Sequence, residues 1–219
     1  MRRKTIAALI GILMVLSFGA GFAESAPPEN FTAKMVMGQM TVPMARMEGK
    51  TRTENPMLPG VVTLSLPDEN KTVQMSLPKK AYMETSTSNR PPSPMDPNVA
   101  LEKKKIGEET IDGHPCIKYD TVFYRKDKPS EKHQAVMWEA QDLGGLPIRQ
   151  EMAMPEGQKG PQGGKVVVEF KEIQVGAAKA SMFEIPKDFQ KVGSMAELMG
   201  GKESMMDQLK KMMPLKGKE

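Results

Sequence analysis

The chain has 219 residues, 39% of them hydrophobic, which suffices for a single domain with its own core. Its formal net charge is +4, but three of the cations lie in the first four residues, so the rest of the chain is close to neutral. With three tyrosines and one tryptophan it also has few side chains for base stacking. Composition therefore argues against nucleic acid as a partner.

The N-terminus has the pattern of a secretory signal peptide. Basic residues at positions 2–4 precede an apolar run at 6–18, and Gly21 and Ala23 supply the small residues that a signal peptidase requires. We predict cleavage after Ala23, followed by an unstructured lead at 24–30. No cysteine lies near that point to carry a lipid anchor, so we expect a periplasmic protein that is not lipid-anchored.

Alternation of apolar and polar residues begins at Phe31. The pattern predicts strands at 31–37, 40–47 and 50–54, each with one buried face. Methionine fills many of the apolar positions. Met47 is out of phase with Met44, which predicts a β-bulge near Ala45.

The same alternation recurs along most of the chain, with turns about ten residues apart. It favours a mainly β fold with one large, curved antiparallel sheet at 31–192. Residues 85–98 are rich in proline and are predicted to form an exposed loop or, alternatively, a flap over a pocket. Further strands are predicted at 61–66, 72–77, 81–84, 106–111, 115–125, 134–141, 146–154 and 165–175.

The C-terminal tail, 193–219, has helical features. Ser194 and Glu197 have the spacing of a capping box. Residues 204–213 place methionine and leucine on one stripe, which predicts an amphipathic helix. This helix could pack on the sheet, fill a pocket, or make transient contact with a membrane or an envelope protein through Met205, Leu209 and Met212.

Four motifs occur in order: MARMEGKTRTE at 44–54, GVVTLSLPDENKTVQMSLPKKAYMET at 60–85, ETIDGHPCIKYD at 109–120, and KVVVEFKEIQVGAAKASMFEIPKDFQKV at 165–192. They resemble a family of methionine-rich secreted bacterial proteins built on a domain of unknown function. That family is similar to the LolA/LolB-like lipoprotein carriers. The resemblance implies an unclosed antiparallel barrel around an apolar cavity that holds a lipid or lipoprotein. In the carriers, helices between early strands roof the cavity, whereas this sequence has Pro-rich loops at 56–59 and 85–98.

The candidate ligand-binding residues are apolar side chains expected on the concave face of the sheet. Methionine is unbranched and polarizable, so a face lined with it adapts to apolar ligands of varied shape. A tight core would favour Leu, Ile and Val instead, although ordinary core packing beneath the C-terminal helix remains the alternative. The predicted lining is Met35, Met37, Met44, Met75, Met83, Val136, Trp138, Val168 and Phe170.

Two other functions are alternatives to binding of an apolar or acyl ligand. Soft ligands for Cu(I) are available in Met35-x-Met37, Met152-x-Met154, Met205-Met206 and His114-Pro115-Cys116, which makes copper binding one alternative. A structural envelope protein with a plugged core is another. Cys116 is the single cysteine, so no internal disulfide forms, and the sequence lacks the common catalytic motifs. We expect a non-catalytic protein without a cofactor.

Overall fold

The computed structural model of the protein describes residues 26–86, 93–96, 98–153 and 164–201. These ranges contain a single turn of α-helix, α1 (Met195–Leu198), and are otherwise dominated by strands. The predicted signal peptide and the predicted helix at 204–213 lie outside them. The strands are β1 (Asn30–Met37), β2 (Met40–Met47), β3 (Lys50–Glu54), β4 (Val61–Leu66), β5 (Lys71–Ser76), β6 (Ala81–Ser86), β7 (Val99–Ile111), β8 (His114–Arg125), β9 (His133–Ala140), β10 (Leu146–Ala153), β11 (Lys165–Val175) and β12 (Gln190–Lys191).

All twelve strands belong to one sheet, in the order β12-β6-β5-β4-β3-β2-β1-β11-β10-β9-β8-β7. Neighbouring strands are antiparallel except for β12, which runs parallel to β6. The pairing of β1 with β11 joins the early strands to the late ones. The sheet does not close, because β12 and β7 remain its two edges. The predicted mainly β fold is confirmed. No helix in the described ranges has the length and hydropathy needed to span a membrane.

The boundaries of the predicted strands match to within about two residues except at β7, and β12 was not predicted as a strand. Strand β7 begins at Val99, seven residues before the predicted start at Ile106. The segment 102–105 is Glu-Lys-Lys-Lys and is exposed. An edge strand pairs on one side only and can present charges to water, so it lacks the apolar alternation on which the prediction relied.

The strand register defines two faces of the sheet, because side chains directly opposite each other on neighbouring strands point to the same side. Ala33 pairs with Met44, and Met44 with Thr53. We call the side that these residues share the inner face and the other side the outer face. Following paired residues from Met37 through Val168, Gln150, Met137 and Tyr119 extends the inner face to the late strands.

The bulge predicted near Ala45 is wrong, because β1 and β2 pair without a break in register from Asn30 to Met37. Met47 and Ala45 lie on the outer face of β2. A 3₁₀ turn at Ala180–Phe183 covers them, and Ala45, Ala178 and Phe183 form one buried cluster with Met47 and Met182 against it. Both faces of β2 are therefore covered in its second half, where Met44 and Ala45 are buried in succession, whereas Thr41 and Pro43 are exposed. Burial on both faces accounts for the break in alternation without a bulge.

The segment after β11 also covers the outer face of β4 and β5. Its side chains Ile185 and Phe189 pack against a buried cluster made of Val62, Leu64, Leu66, Val73 and Met75. β12 then pairs with β6, and Lys191 forms an ion pair with Glu84. The closing segment thus supplies the second layer of the core for the early strands.

The predicted capping box of the C-terminal helix is present in part, because the Ser194 side chain caps the helix but the Glu197 carboxylate bonds the Gly193 N–H and not the Ser194 N–H. The Ser194 hydroxyl accepts a hydrogen bond from the Glu197 backbone N–H at 3.2 Å, and the Glu197 carboxylate accepts one from the Gly193 N–H at 3.1 Å. Leu198 is fully buried. This turn of helix therefore ends on the folded domain rather than projecting from it.

Candidate functional site

A cavity of about 690 Å³ lies on the inner face of the late strands. Its wall includes Arg46 from β2 and Leu101 from β7, although five strands separate β2 from β7 in the sheet. In a flat sheet those two strands would be roughly 29 Å apart, at about 4.8 Å per strand spacing. The sheet therefore curves around its inner face, and the cavity occupies the concave side. The lining comprises Ala26, Pro27, Pro28, Glu29, Arg46, Pro94, Met95, Leu101, Lys103, Ile117, Tyr119, Met137, Glu139, Gln141, Gly144, Gly145, Leu146 and Pro147.

The apolar part of the wall comes from alternate residues of three neighbouring strands. Leu101 of β7, Ile117 of β8 and Met137 of β9 contribute side chains to it, with Tyr119 beside them. Met137 is buried, Ile117 half-buried and Leu101 exposed. This gradient means that the wall runs from the core to the open edge of the sheet.

Two segments outside the sheet close the cavity on another side. Residues 26–29, predicted as an unstructured lead, line it, and the Glu29 carbonyl accepts a hydrogen bond from the Glu48 N–H at 3.1 Å. In the Pro-rich loop, Pro94 is buried and Met95 half-buried, and both also line the cavity. The described part of that loop is therefore not the wholly exposed segment predicted from its composition.

One ion pair lies in the cavity wall. The Lys103 Nζ donates to both carboxylate oxygens of Glu139, each at 2.9 Å, and lies 5.0 Å from the centre of the Tyr119 ring. The Glu139 side chain is 9% exposed and that of Lys103 35%. The wall is therefore apolar around this ion pair, and the two charges of the pair neutralise each other.

We expect Lys103→Met to lower the free energy of unfolding by about 2 kcal/mol, because it leaves a nearly buried carboxylate without its cation. The double variant Lys103→Met/Glu139→Gln should regain most of that loss. Urea unfolding of Lys103→Met, Glu139→Gln and the double variant measures the coupling free energy between the two side chains. Lys104→Met, on the same strand but the opposite face, should change stability by less than about 0.5 kcal/mol. Strictly additive effects of the two substitutions would contradict the pairing.

Arg46 is the second cationic group in the wall. Its Nη2 donates to the Met95 carbonyl oxygen at 2.7 Å. Burial lowers the pKa of the guanidinium, while the charges of Asp96 and Glu29 act in the opposite direction. Within the described ranges, no carboxylate comes within 4.0 Å of it. Arg46 is thus a partly desolvated cation that has no direct counterion among the residues the structure describes.

The nine predicted lining residues are divided between the two faces. By register Met35, Met37, Met44, Met83, Val168 and Phe170 lie on the inner face, and Met75, Val136 and Trp138 on the outer one. None of the nine lines the large cavity, and Met44 borders a smaller one of about 260 Å³. Met35, Met44, Val136, Trp138, Val168 and Phe170 belong to, or pack against, one core cluster. A ligand-binding role for the nine residues stays a prediction.

The sequence predicted the wrong face of β9 as the cavity lining. Val136 and Trp138 were expected there, whereas Met137 and Glu139, on the opposite face, line the cavity. Trp138 looked like an inner-face residue, but it is stacked on the outer face between the Lys118 ammonium at 4.7 Å and the Arg149 guanidinium at 4.9 Å. Its Nε1 donates to Glu109 at 2.8 Å. Long charged side chains cover the indole there, leaving Met137 for the cavity. The lone Glu139 beside Met137 was the signal that could have identified this face.

Cys116 and His114 lie on the same face of β8, but they do not form a nucleophile and base. The Cys116 Sγ donates to the His114 carbonyl oxygen at 3.3 Å, while the His114 Nδ1 lies 2.7 Å from the Asp142 carboxylate. Burial is the largest effect on Cys116 and raises the pKa of its thiol. Across the described part of the chain, no group of three His, Cys, Asp or Glu side chains is placed to hold a metal ion.

We expect Cys116 to resist alkylation in the folded protein. The thiol is 3% exposed, and its raised pKa keeps it protonated at neutral pH, whereas the thiolate is the reactive form. Mass spectrometry after an hour with iodoacetamide should show mostly unmodified protein, and full modification in concentrated guanidinium chloride. Rapid modification without denaturant would contradict the buried position.

A comparison with protein-family models gives no match, and neither does a comparison with curated proteins. Solved structures do show similarity. An outer membrane lipoprotein-sorting protein domain from Vibrio parahaemolyticus is 12% identical with a TM-score of 0.36, covering 74% of this chain and 92% of its own. A LolA superfamily protein from Nitrosomonas europaea is 10% identical with a TM-score of 0.33, covering 74% and 91%. The second carries the name of the superfamily that the sequence motifs resemble.

Proposed function

We propose that this protein is a non-catalytic binding protein for an apolar or acyl ligand, and that it acts as a carrier in the periplasm. The observation that carries the proposal is the cavity of about 690 Å³ on the concave inner face. Small-molecule sites span about 300–1,000 Å³ and combine apolar walls with a few polar groups. Leu101, Ile117 and Met137 provide the apolar wall, and the Lys103–Glu139 pair is a polar point within it.

The ligand is an acyl chain, either free or attached to a lipid or lipoprotein. An unbranched chain fits a wall of leucine, isoleucine and methionine side chains, since it makes no hydrogen bonds along its length and gains from each buried methylene. The similar solved structures include a lipoprotein-sorting protein domain, which suggests the same kind of cargo. The signal-peptide pattern of residues 1–23 supports a periplasmic location.

The test is extraction of the protein from its native envelope without detergent, followed by mass spectrometry of the extract. We expect a lipid or fatty acid at close to one molecule per chain. The control is the same chain with Ile117 and Met137 both replaced by glutamine, which puts polar groups into the apolar wall and should come out with little lipid. Wild-type protein that is consistently free of lipid would count against the proposal and favour a structural role.

A further inference from the structure

The wall of the large cavity contains two cationic side chains that differ in how their charge is balanced. Lys103 makes two hydrogen bonds of 2.9 Å to Glu139, which neutralises it within the protein. The only hydrogen bond found for the Arg46 guanidinium within the described ranges is to a neutral backbone carbonyl, that of Met95, at 2.7 Å. The cavity wall thus contains one cation in a direct ion pair, Lys103, and one, Arg46, that no carboxylate of the described ranges contacts directly, although Glu29 also lines the wall.

Burying a cation without a counterion is costly, and a protein normally compensates for it with a carboxylate. The charges of Asp96 and Glu29 favour the protonated guanidinium, but neither carboxylate contacts it. A guanidinium has five N–H donors in a planar fork, suited to two parallel hydrogen bonds with a carboxylate or phosphate. Arg46 uses one of its terminal nitrogens for Met95, so donors remain for an anion in the cavity.

We propose that Arg46 binds the anionic head of the ligand, so that the cavity selects acyl chains ending in a carboxylate or phosphate over neutral or cationic amphiphiles of equal length. The inference rests on the proposed function, since it concerns the same cavity. The acyl chain then lies along the wall formed by Leu101, Ile117 and Met137, and its head lies at the β2 side of the cavity.

Arg52 provides a matched control. It is on β3 and on the outer face, since it pairs with Ala45, and its Nη1 donates to the backbone carbonyl oxygen of Met182 at 3.2 Å. It borders the smaller cavity rather than the large one. Arg46 and Arg52 therefore each donate to a backbone carbonyl oxygen at a different cavity, but Arg52 also has a carboxylate close by, with its Nη2 3.7 Å from Glu54.

The experiment is calorimetric titration of the mature chain with dodecanoate, dodecyl phosphate, dodecanol and dodecyltrimethylammonium. Wild type should bind the two anions at least about tenfold more tightly than dodecanol, as expected for a charge-assisted bidentate contact. The cationic amphiphile should bind most weakly. Comparison of the carboxylate with the phosphate shows whether a fatty acid or a phospholipid head fits better.

Arg46→Gln should bind the anions and dodecanol with nearly equal affinity, while its affinity for dodecanol stays that of wild type. Arg46→Lys, which keeps the charge but loses the fork, should retain part of the preference, and Arg52→Gln should retain all of it. Thermal unfolding of each variant verifies that it is folded.

Equal binding of acid and alcohol by wild type would overturn the role of Arg46 but leave acyl binding intact. Binding of none of the four probes would overturn the proposed function itself. Loss of the preference in Arg52→Gln alone would move the head site to the smaller cavity.

Discussion

Phe31→Ala should lower the free energy of unfolding by about 4 kcal/mol, within the range measured for large aromatic truncations in cores. The Phe31 side chain is fully buried, and its ring lies 6.5 Å from that of Phe170 at an interplanar angle of 53°. It sits on β1, the strand that joins the early and late halves of the sheet through β11. The cavity left by the missing ring would therefore lie where β1 and β11 join the early and late strands.

Urea denaturation monitored by circular dichroism measures this loss. Val36→Ala is the control, since it lies on the same strand, on the outer face, and is only half-buried. Its cost should be about 1 kcal/mol or less, in keeping with removal of two methyl groups at a partly exposed site. Equal costs for the two substitutions would contradict the assignment of Phe31 to the core.

The sheet was predictable from the sequence because apolar alternation survives wherever one face of a strand is buried. β2, β3, β4 and β11 have the boundaries that the alternation predicts. β7 does not, since an edge strand with exposed charges carries no such signal. Burial of Met47 by the Ala180–Phe183 turn, far away in sequence, could not be seen from local periodicity.

The candidate site was less predictable than the sheet. The excess of methionine pointed to an adaptable apolar surface, but Met35 and Met44 pack in or against a core cluster instead of lining the large cavity. The choice between Trp138 and Met137 depended on which face Lys118 and Arg149 cover, and that is set by pairing across three strands. Arg46 gave no sequence signal, because its proposed role depends on its three-dimensional surroundings, in which no described carboxylate contacts the guanidinium.

The second large effect expected is on binding. Ile117→Trp adds an indole to the middle of the cavity wall at a half-buried position, so the enlarged side chain can extend into the cavity without displacing core residues. Dodecanoate should then bind at least about thirtyfold more weakly, a loss of about 2 kcal/mol. Val122→Trp is the matched control, because Val122 is also half-buried on β8 but, by register, lies on the outer face.

Acyl binding in the concave cavity is tested most directly by titrating the wild-type mature chain, Ile117→Trp and Val122→Trp with dodecanoate under identical conditions. The proposed function predicts saturable binding of one molecule per chain to wild type and Val122→Trp, and strongly weakened binding to Ile117→Trp. Equal affinity of Ile117→Trp and wild type would show that the ligand does not occupy this cavity.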